Sequence, residues 1–167
     1  FECQNIVDTH KVRVFSSNYV LYGDMSARIM SILSGFTPNI EVYSIDEAFL
    51  FFKGFANYDL ESHARLIQQA VRQQTGVPVS VGIGRTKTLA KIANYLSKKV
   101  YKTGVLCLME NEDEHLKNVP VEKIWGIGRQ RTLWLNAQNI RTAYDLKQAP
   151  DRLIKNKMTV TGLRTVW

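Results

Sequence analysis

The stretch Tyr43-Ser44-Ile45-Asp46-Glu47-Ala48-Phe49 places two adjacent carboxylates among apolar and aromatic residues. Anions in such surroundings are costly to bury unless something compensates them, and a divalent cation is one compensation. Mg²⁺ suits a few carboxylates completed by substrate phosphates. Side chains alternate along a strand, so neighbours converge on one ion only where the strand bends or bulges. The same pair also fits an ordinary acidic hairpin turn facing water, and taken alone it leaves both readings open.

Two other stretches have the chemistry to handle phosphate. Lys87, Lys91, Asn94 and Lys98 recur at i, i+4, i+7 and i+11, opposite an apolar face of Leu89, Ile92, Ala93 and Leu96. Such a helix can hold phosphates through its lysines and first-turn N–H groups, or it can be a solvated basic face. Gly82-Ile83-Gly84, just before it, lacks the third glycine of a dinucleotide fingerprint, and no Walker spacing occurs. Further on, Ile124-Trp125-Gly126-Ile127-Gly128-Arg129 lies between two helical stretches. Glycines there let a phosphate approach main-chain N–H groups at the next helix start, a contact that reads a nucleic-acid backbone rather than its sequence. A tight helix–helix turn is the structural alternative. His10, His63 and His115 are scattered and receive no role, and Trp125 and Trp134 are expected to pack a small core rather than stack bases.

The elements that must position these residues follow from periodicity. Lys11–Phe15 alternates polar and apolar and predicts a short strand. Tyr22, Met25, Ile29, Leu33 and Phe36 predict an amphipathic helix ending near Gly35, and Ile40 to Phe52 predicts two strands joined by a tight turn. Leu60, Ala64, Ile67 and Val71 predict a second helix stopped by Gly76 and Pro78. A buried strand over Val79–Ile83, a helix over Thr86–Lys98 and a short strand over Gly104–Leu108 complete the layer, and beyond Asn111 the pattern is helical only. The expected class is α+β, short sheets with helices stacked on one face rather than a doubly wound parallel sheet, followed by a small helical domain that begins near residues 109–120.

Charge is distributed in blocks. The net charge is +7, yet residues 1–84 carry six Lys/Arg against eight Asp/Glu. Residues 85–102 carry six basic side chains and no acid, and from Arg129 onward there are eight basic and two acidic. Two basic blocks suit a polyanion such as nucleic acid or a nucleoside triphosphate, although a solvated basic surface has the same composition. No run of 18 apolar residues and no basic-then-apolar leader occurs, so neither a membrane span nor a secretory signal is expected and a cytoplasmic location is. Cys3 and Cys107 lack metal-type spacing and fit free thiols.

Taken together and in this order, four stretches resemble the Y-family translesion DNA polymerases. These are Phe15-Ser16-Ser17-Asn18-Tyr19 through Asp24-Met25-Ser26, Tyr43 to Phe49, Gly82 to Lys91, and Trp125 to Arg129; the first and last look most like the UmuC-type branch. The resemblance implies low-fidelity, template-directed DNA synthesis of the SOS damage-tolerance kind, by two-metal nucleotidyl transfer. It implies a palm-like (ferredoxin-like) antiparallel sheet with helices on one face over residues 1–108, the partial palm, and a truncated thumb with a helix-hairpin-helix over 109–167. It further implies that Asp46 and Glu47 are the catalytic Mg²⁺ ligands, with Asp46 bridging two ions, and that Lys98 contacts the incoming triphosphate. Gly126, Ile127, Gly128 and Arg129 would hold DNA phosphates. Primer-template DNA and dNTP are the implied substrates, with accessory SOS-type subunits and a sliding clamp as partners.

The chain departs from the family pattern at both ends. The family's further metal-binding aspartate belongs to an N-terminal strand, and Phe1 is expected to fall at the end of the finger segment that follows it. Asp8 and Asp24 do not match that ligand, and the aromatic residue that excludes ribonucleotides is not found. Thr165-Val166-Trp167 is expected to stop within a thumb helix, ahead of the DNA-gripping little finger. These departures predict weak or absent metal binding and no polymerisation by this stretch alone. Two rivals stand beside this reading: a nucleotidyl cyclase on a palm-like layer, and a non-catalytic DNA-binding scaffold using only the hairpin and the basic blocks.

Overall fold

The computed structural model describes residues 3–54 and 59–166, with side chains described as far as Met158. Phe1 and Trp167, at which the two terminal expectations were placed, lie outside the described residues. The chain divides into two compact units, residues 1–50 and 51–167.

In the first unit, a short helix α1 (Gln4–Thr9) is followed by an extended segment and then by α2 (Tyr19–Ser34). Asn18 caps α2, its side chain accepting the Leu21 N–H at 3.1 Å. The predicted strand over Lys11–Phe15 is not formed. The Val12 N–H folds back to the Val7 carbonyl at 2.9 Å, and Val14 and Phe15 are exposed. A strand needs a ladder partner, and alternation of residue types does not provide one. Strands β1 (Ile40–Ser44) and β2 (Glu47–Leu50) pair antiparallel, Ile40 opposite Leu50 and Val42 opposite Ala48. The register then slips between Val42 and Ser44, so that Ser44 faces Glu47. Tyr43 is the extra residue of this bulge, and its ring meets the edge of Phe49, the buried residue of β2.

In the second unit, α3 (Leu60–Thr75) begins at Asp59, whose carboxylate accepts the Glu61 and Ser62 N–H groups at 3.1 Å each. It ends at Gly76, held at φ 73°, the left-handed conformation in which glycine has no Cβ to clash. Strand β3 (Val81–Gly84), helix α4 (Lys87–Tyr95) and strand β4 (Val105–Leu108) then form a β-α-β crossover. The α+β class holds, but β3 and β4 are parallel, Val81 opposite Val105 and Gly84 opposite Leu108, rather than part of an antiparallel sheet. The helix between them forces this: a chain that returns through a full crossover enters the second strand in the direction of the first. The β3 strand is half-buried along its length and not fully buried as predicted.

Helices α5 (Glu112–Leu116), α6 (Arg129–Ala137), α7 (Ala143–Gln148) and α8 (Asp151–Val166) complete the unit, with a 3₁₀ turn over Val121–Lys123. A capping box starts α7: Thr142 accepts the Asp145 N–H, and the Asp145 carboxylate accepts the Arg141 and Thr142 N–H groups. The buried core is continuous through the unit, from Ile92 and Leu96 through Leu108 to Leu135, Ile154 and Met158. Trp134 packs against it, as expected.

Candidate active site and nucleic-acid interface

The bulge at Tyr43 turns the tip of the first hairpin so that Ser44, Asp46 and Glu47 are neighbours there. The Ser44 hydroxyl donates to Asp46 Oδ1 at 2.6 Å, and the Asp46 N–H points back to the Ser44 oxygen at 3.4 Å. Serine therefore holds the aspartate in one orientation, a task for which the sequence offered only its position two residues earlier. The bend that convergence of neighbouring side chains requires is present. The apolar enclosure is not: Asp46 is exposed and Glu47 half-buried, while Val42, Tyr43 and Ile45 are 57%, 46% and 49% exposed. Among the described residues, burial therefore gives these carboxylates no charge cost for a cation to offset; what would attract one is two hard oxygen donors at one turn. Among the described residues no group of three or more His, Cys, Asp or Glu side chains comes together. Asp24 forms an exposed pair with Arg28 one turn along α2, and Asp8 accepts from Gln4.

The basic helix is only partly a stripe. Lys87 is half-buried, its ammonium 5.6 Å from the centre of the Phe51 ring, and Asn94 turns inward to donate to the Ser80 carbonyl at 2.8 Å. The α-helical ladder stops at Tyr95 and gives way to a π turn over Leu96–Val100, closed by the Tyr101 N–H to the Leu96 carbonyl at 2.8 Å. One residue is inserted per turn there, so Lys98 is rotated off the line through Lys87 and Lys91. Lys98 and Lys99 are exposed on this turn. A π turn carries no sequence signature, and the i+11 spacing could not reveal it.

Gly82 and Gly84 have a packing role. A Cβ on Gly82 would lie 2.2 Å from the Asn94 nitrogen and 2.3 Å from the Ala90 oxygen; one on Gly84 would lie 2.7 Å from the Ala90 nitrogen. The backbone of α4 rests directly on β3, which only glycine permits.

The glycine hairpin behaves differently. Gly126 takes φ 88°, the Ile127 N–H closes a turn to the Ile124 carbonyl at 3.0 Å, and Gly128 caps α6 with nothing within 4 Å of a Cβ built on it. Ile127 is buried as the anchor of the turn, while Gly126, Gly128 and Arg129 are exposed. Arg129 forms no ion pair among the described residues. A shallow concavity lined by Glu122, Ile127, Arg129, Thr132, Leu133 and Asn136 flanks the turn. Arg131, which its place in the sequence did not single out, donates from Nη1 to the Gly126 carbonyl at 2.7 Å.

Of the remaining groups, Cys3 and Cys107 are free thiols, and burial pushes the Cys107 thiol above its usual range, which disfavours the nucleophilic thiolate. His115 meets the Tyr101 hydroxyl at 3.0 Å, and His63 meets the edge of Phe52. No helix among the described residues is long and apolar enough to cross a membrane.

The chain is 43% identical over 157 residues to Protein UmuC of Salmonella typhimurium, covering 91% of this chain and 37% of that protein. It is 30% identical to DNA polymerase IV of Corynebacterium diphtheriae, covering 92% of this chain and 34% of that protein. A DinB family error-prone DNA polymerase from Sulfolobus solfataricus superposes with a TM-score of 0.74 at 25% identity, over 92% of this chain and 48% of that one. The chain thus spans less than half the length of each of these proteins. Residues 1–95, more than half of the sequence, match the impB/mucB/samB family, and the chain belongs to it.

Proposed function

We propose that the protein carrying this chain is a DNA-directed DNA polymerase that extends primers across damaged template with low fidelity. The observation that carries the reading is the Ser44-Asp46-Glu47 tip at a bulged hairpin inside the stretch that matches the family. In this reading residues 1–108 form the palm and 109–167 the thumb. Asp46 and Glu47 would hold divalent cations of the Mg²⁺ class, to which two hard oxygen donors side by side are suited. Bound there, such cations would activate a primer 3′-oxygen and offset charge on the leaving pyrophosphate.

The chain's own residues do the rest. Ser44 fixes the aspartate rotamer, so the carboxylate is oriented before any ion arrives. Lys98, exposed on its π turn, would meet the triphosphate as a point charge. Gly126 to Arg129 would hold the DNA backbone without reading its sequence, as a polymerase that must accept any template requires. Accessory subunits and a sliding clamp are the proposed partners of the complete protein, and the cytoplasm its location.

Primer extension by the complete protein tests the assignment. Asp46→Asn is expected to lower extension by on the order of a hundredfold or more, the several kcal/mol a cation supplies to the transition state, while leaving DNA binding at wild-type strength. Undiminished extension would sink the assignment, and a cyclic nucleotide product formed without DNA would replace it with the cyclase reading.

A further inference from the structure

The peptide plane between Gly126 and Ile127 is held from both sides. Its carbonyl accepts from Arg131 Nη1 at 2.7 Å, and its N–H donates to Ile124 at 3.0 Å. The next fixed point is the Gly128 carbonyl, which takes the Thr132 N–H at 3.0 Å and the Thr132 hydroxyl at 3.2 Å. Of these clamps only Arg131 is a charged side chain, and it reaches back five residues to a glycine in the left-handed region. A hydrogen bond from a guanidinium is about twice as strong as a neutral one, and the fork that makes it is pre-organised.

We infer that Arg131 is a positioning residue for the phosphate-binding hairpin: it fixes the shape of the Gly126–Gly128 turn and is not itself a phosphate contact. The inference rests on the hairpin's proposed role in holding DNA. It also separates two arginines, two residues apart on one basic helix start, that charge counting treats alike. Arg129, exposed and without an ion pair among the described residues, is the one left to meet DNA.

The test compares wild type, Arg131→Met and Arg129→Ala for binding to a fluorescent primer-template across a salt series, with amide exchange at Ile127 measured in the free protein. Arg129→Ala is expected to flatten the dependence of log Kd on log salt by about 0.9, the loss of one phosphate neutralised. Arg131→Met is expected to weaken binding about five- to tenfold at unchanged slope, and to speed Ile127 exchange by a similar factor, one hydrogen bond's worth. A slope that flattens by about 0.9 in Arg131→Met, with exchange unchanged, makes Arg131 a phosphate contact and overturns the inference. Exchange and affinity both at wild-type values overturn it as well. If Arg129→Ala binds DNA as wild type does at every salt concentration, the hairpin reading itself fails and takes the positioning role with it.

Discussion

Alanine at Gly82 would test the direct contact of helix α4 with strand β3. The new Cβ would lie 2.2 Å from the Asn94 nitrogen, 2.3 Å from the Ala90 oxygen and 2.8 Å from the Ala93 carbonyl carbon. All three are backbone atoms of α4, so no side-chain rotation relieves the contact. The helix must retreat by about 1 Å to reach ordinary van der Waals separation. Overpacking of this kind costs about 1–3 kcal/mol, and more where the neighbour cannot give. Retreat also stretches the 2.8 Å bond from Asn94 to the Ser80 carbonyl, for about 1 kcal/mol more, and lifts Ile92 and Ala93 out of the core. A total near 4 kcal/mol corresponds to a fall of roughly 10–15 °C in Tm for a chain of this size. Thermal unfolding followed by far-UV circular dichroism reads it. Gly23→Ala on α2, where nothing lies within 4 Å of the new Cβ, is the control and should raise Tm slightly through helix propensity. If Gly82→Ala melts within 2–3 °C of wild type, less than about 1 kcal/mol, α4 does not rest on β3 as described and the packing argument for these glycines is wrong.

Two other outcomes follow from the second unit. The Arg141 N–H, ahead of the Thr142 N–H and hydroxyl, holds the Asp145 carboxyl below the usual carboxylate range. Because the folded state binds that proton less readily than the unfolded state, the capping box stabilises above the ordinary carboxylate pKa, and its contribution is lost as pH falls through the depressed value. Asp145→Asn should therefore destabilise at neutral pH and converge on wild type in acid, as urea titrations at several pH values would reveal; an equal deficit at every pH contradicts it. Lys98→Ala in the complete protein should raise KM for dNTP by about tenfold or more with DNA affinity unchanged, by steady-state primer extension, as removal of one charged contact predicts; an unchanged KM removes Lys98 from the nucleotide site.

Three helices were legible from apolar spacing, and the structure adds the caps that start them: Asn18, Asp59 and Thr86 each accept N–H groups of the helix they precede; the helix capped by Thr142 was not delimited in the sequence. The first hairpin was legible for a similar reason, since β-branched and aromatic residues flank its acidic turn. What the sequence did not disclose depends on partners distant along the chain. The Lys11–Phe15 segment has strand alternation, and among the described residues no strand pairs with it. Asn94 looked like part of a basic stripe because helical spacing does not record that Ser80 offers a carbonyl on that side. The π turn beneath Lys98 is a change of hydrogen-bond partner, from i−4 to i−5, among residues of ordinary helix propensity. Asp46 is exposed despite its apolar neighbours in sequence, because residues beside a turn in the chain do not enclose the tip of a two-stranded hairpin.

The sequence Gly-Ile-Gly occurs twice, at residues 82–84 and 126–128, and the two copies are used in opposite ways. At the first, the space a Cβ would take is filled by the backbone of α4, so the glycines exist to bring helix and strand together. At the second, a Cβ on Gly128 would meet nothing, and Gly126 adopts a conformation that side chains resist. A site for a large anion must leave its backbone approachable, and only the second copy does. Its isoleucine is buried beneath the turn while the glycines stay exposed, which anchors the loop without covering it. The motif alone therefore says that backbone comes close to something; what fills the space decides whether that something is the protein or its ligand. By that criterion the proposed phosphate contact falls on the hairpin before α6, and the glycines of the strand before α4 serve close packing.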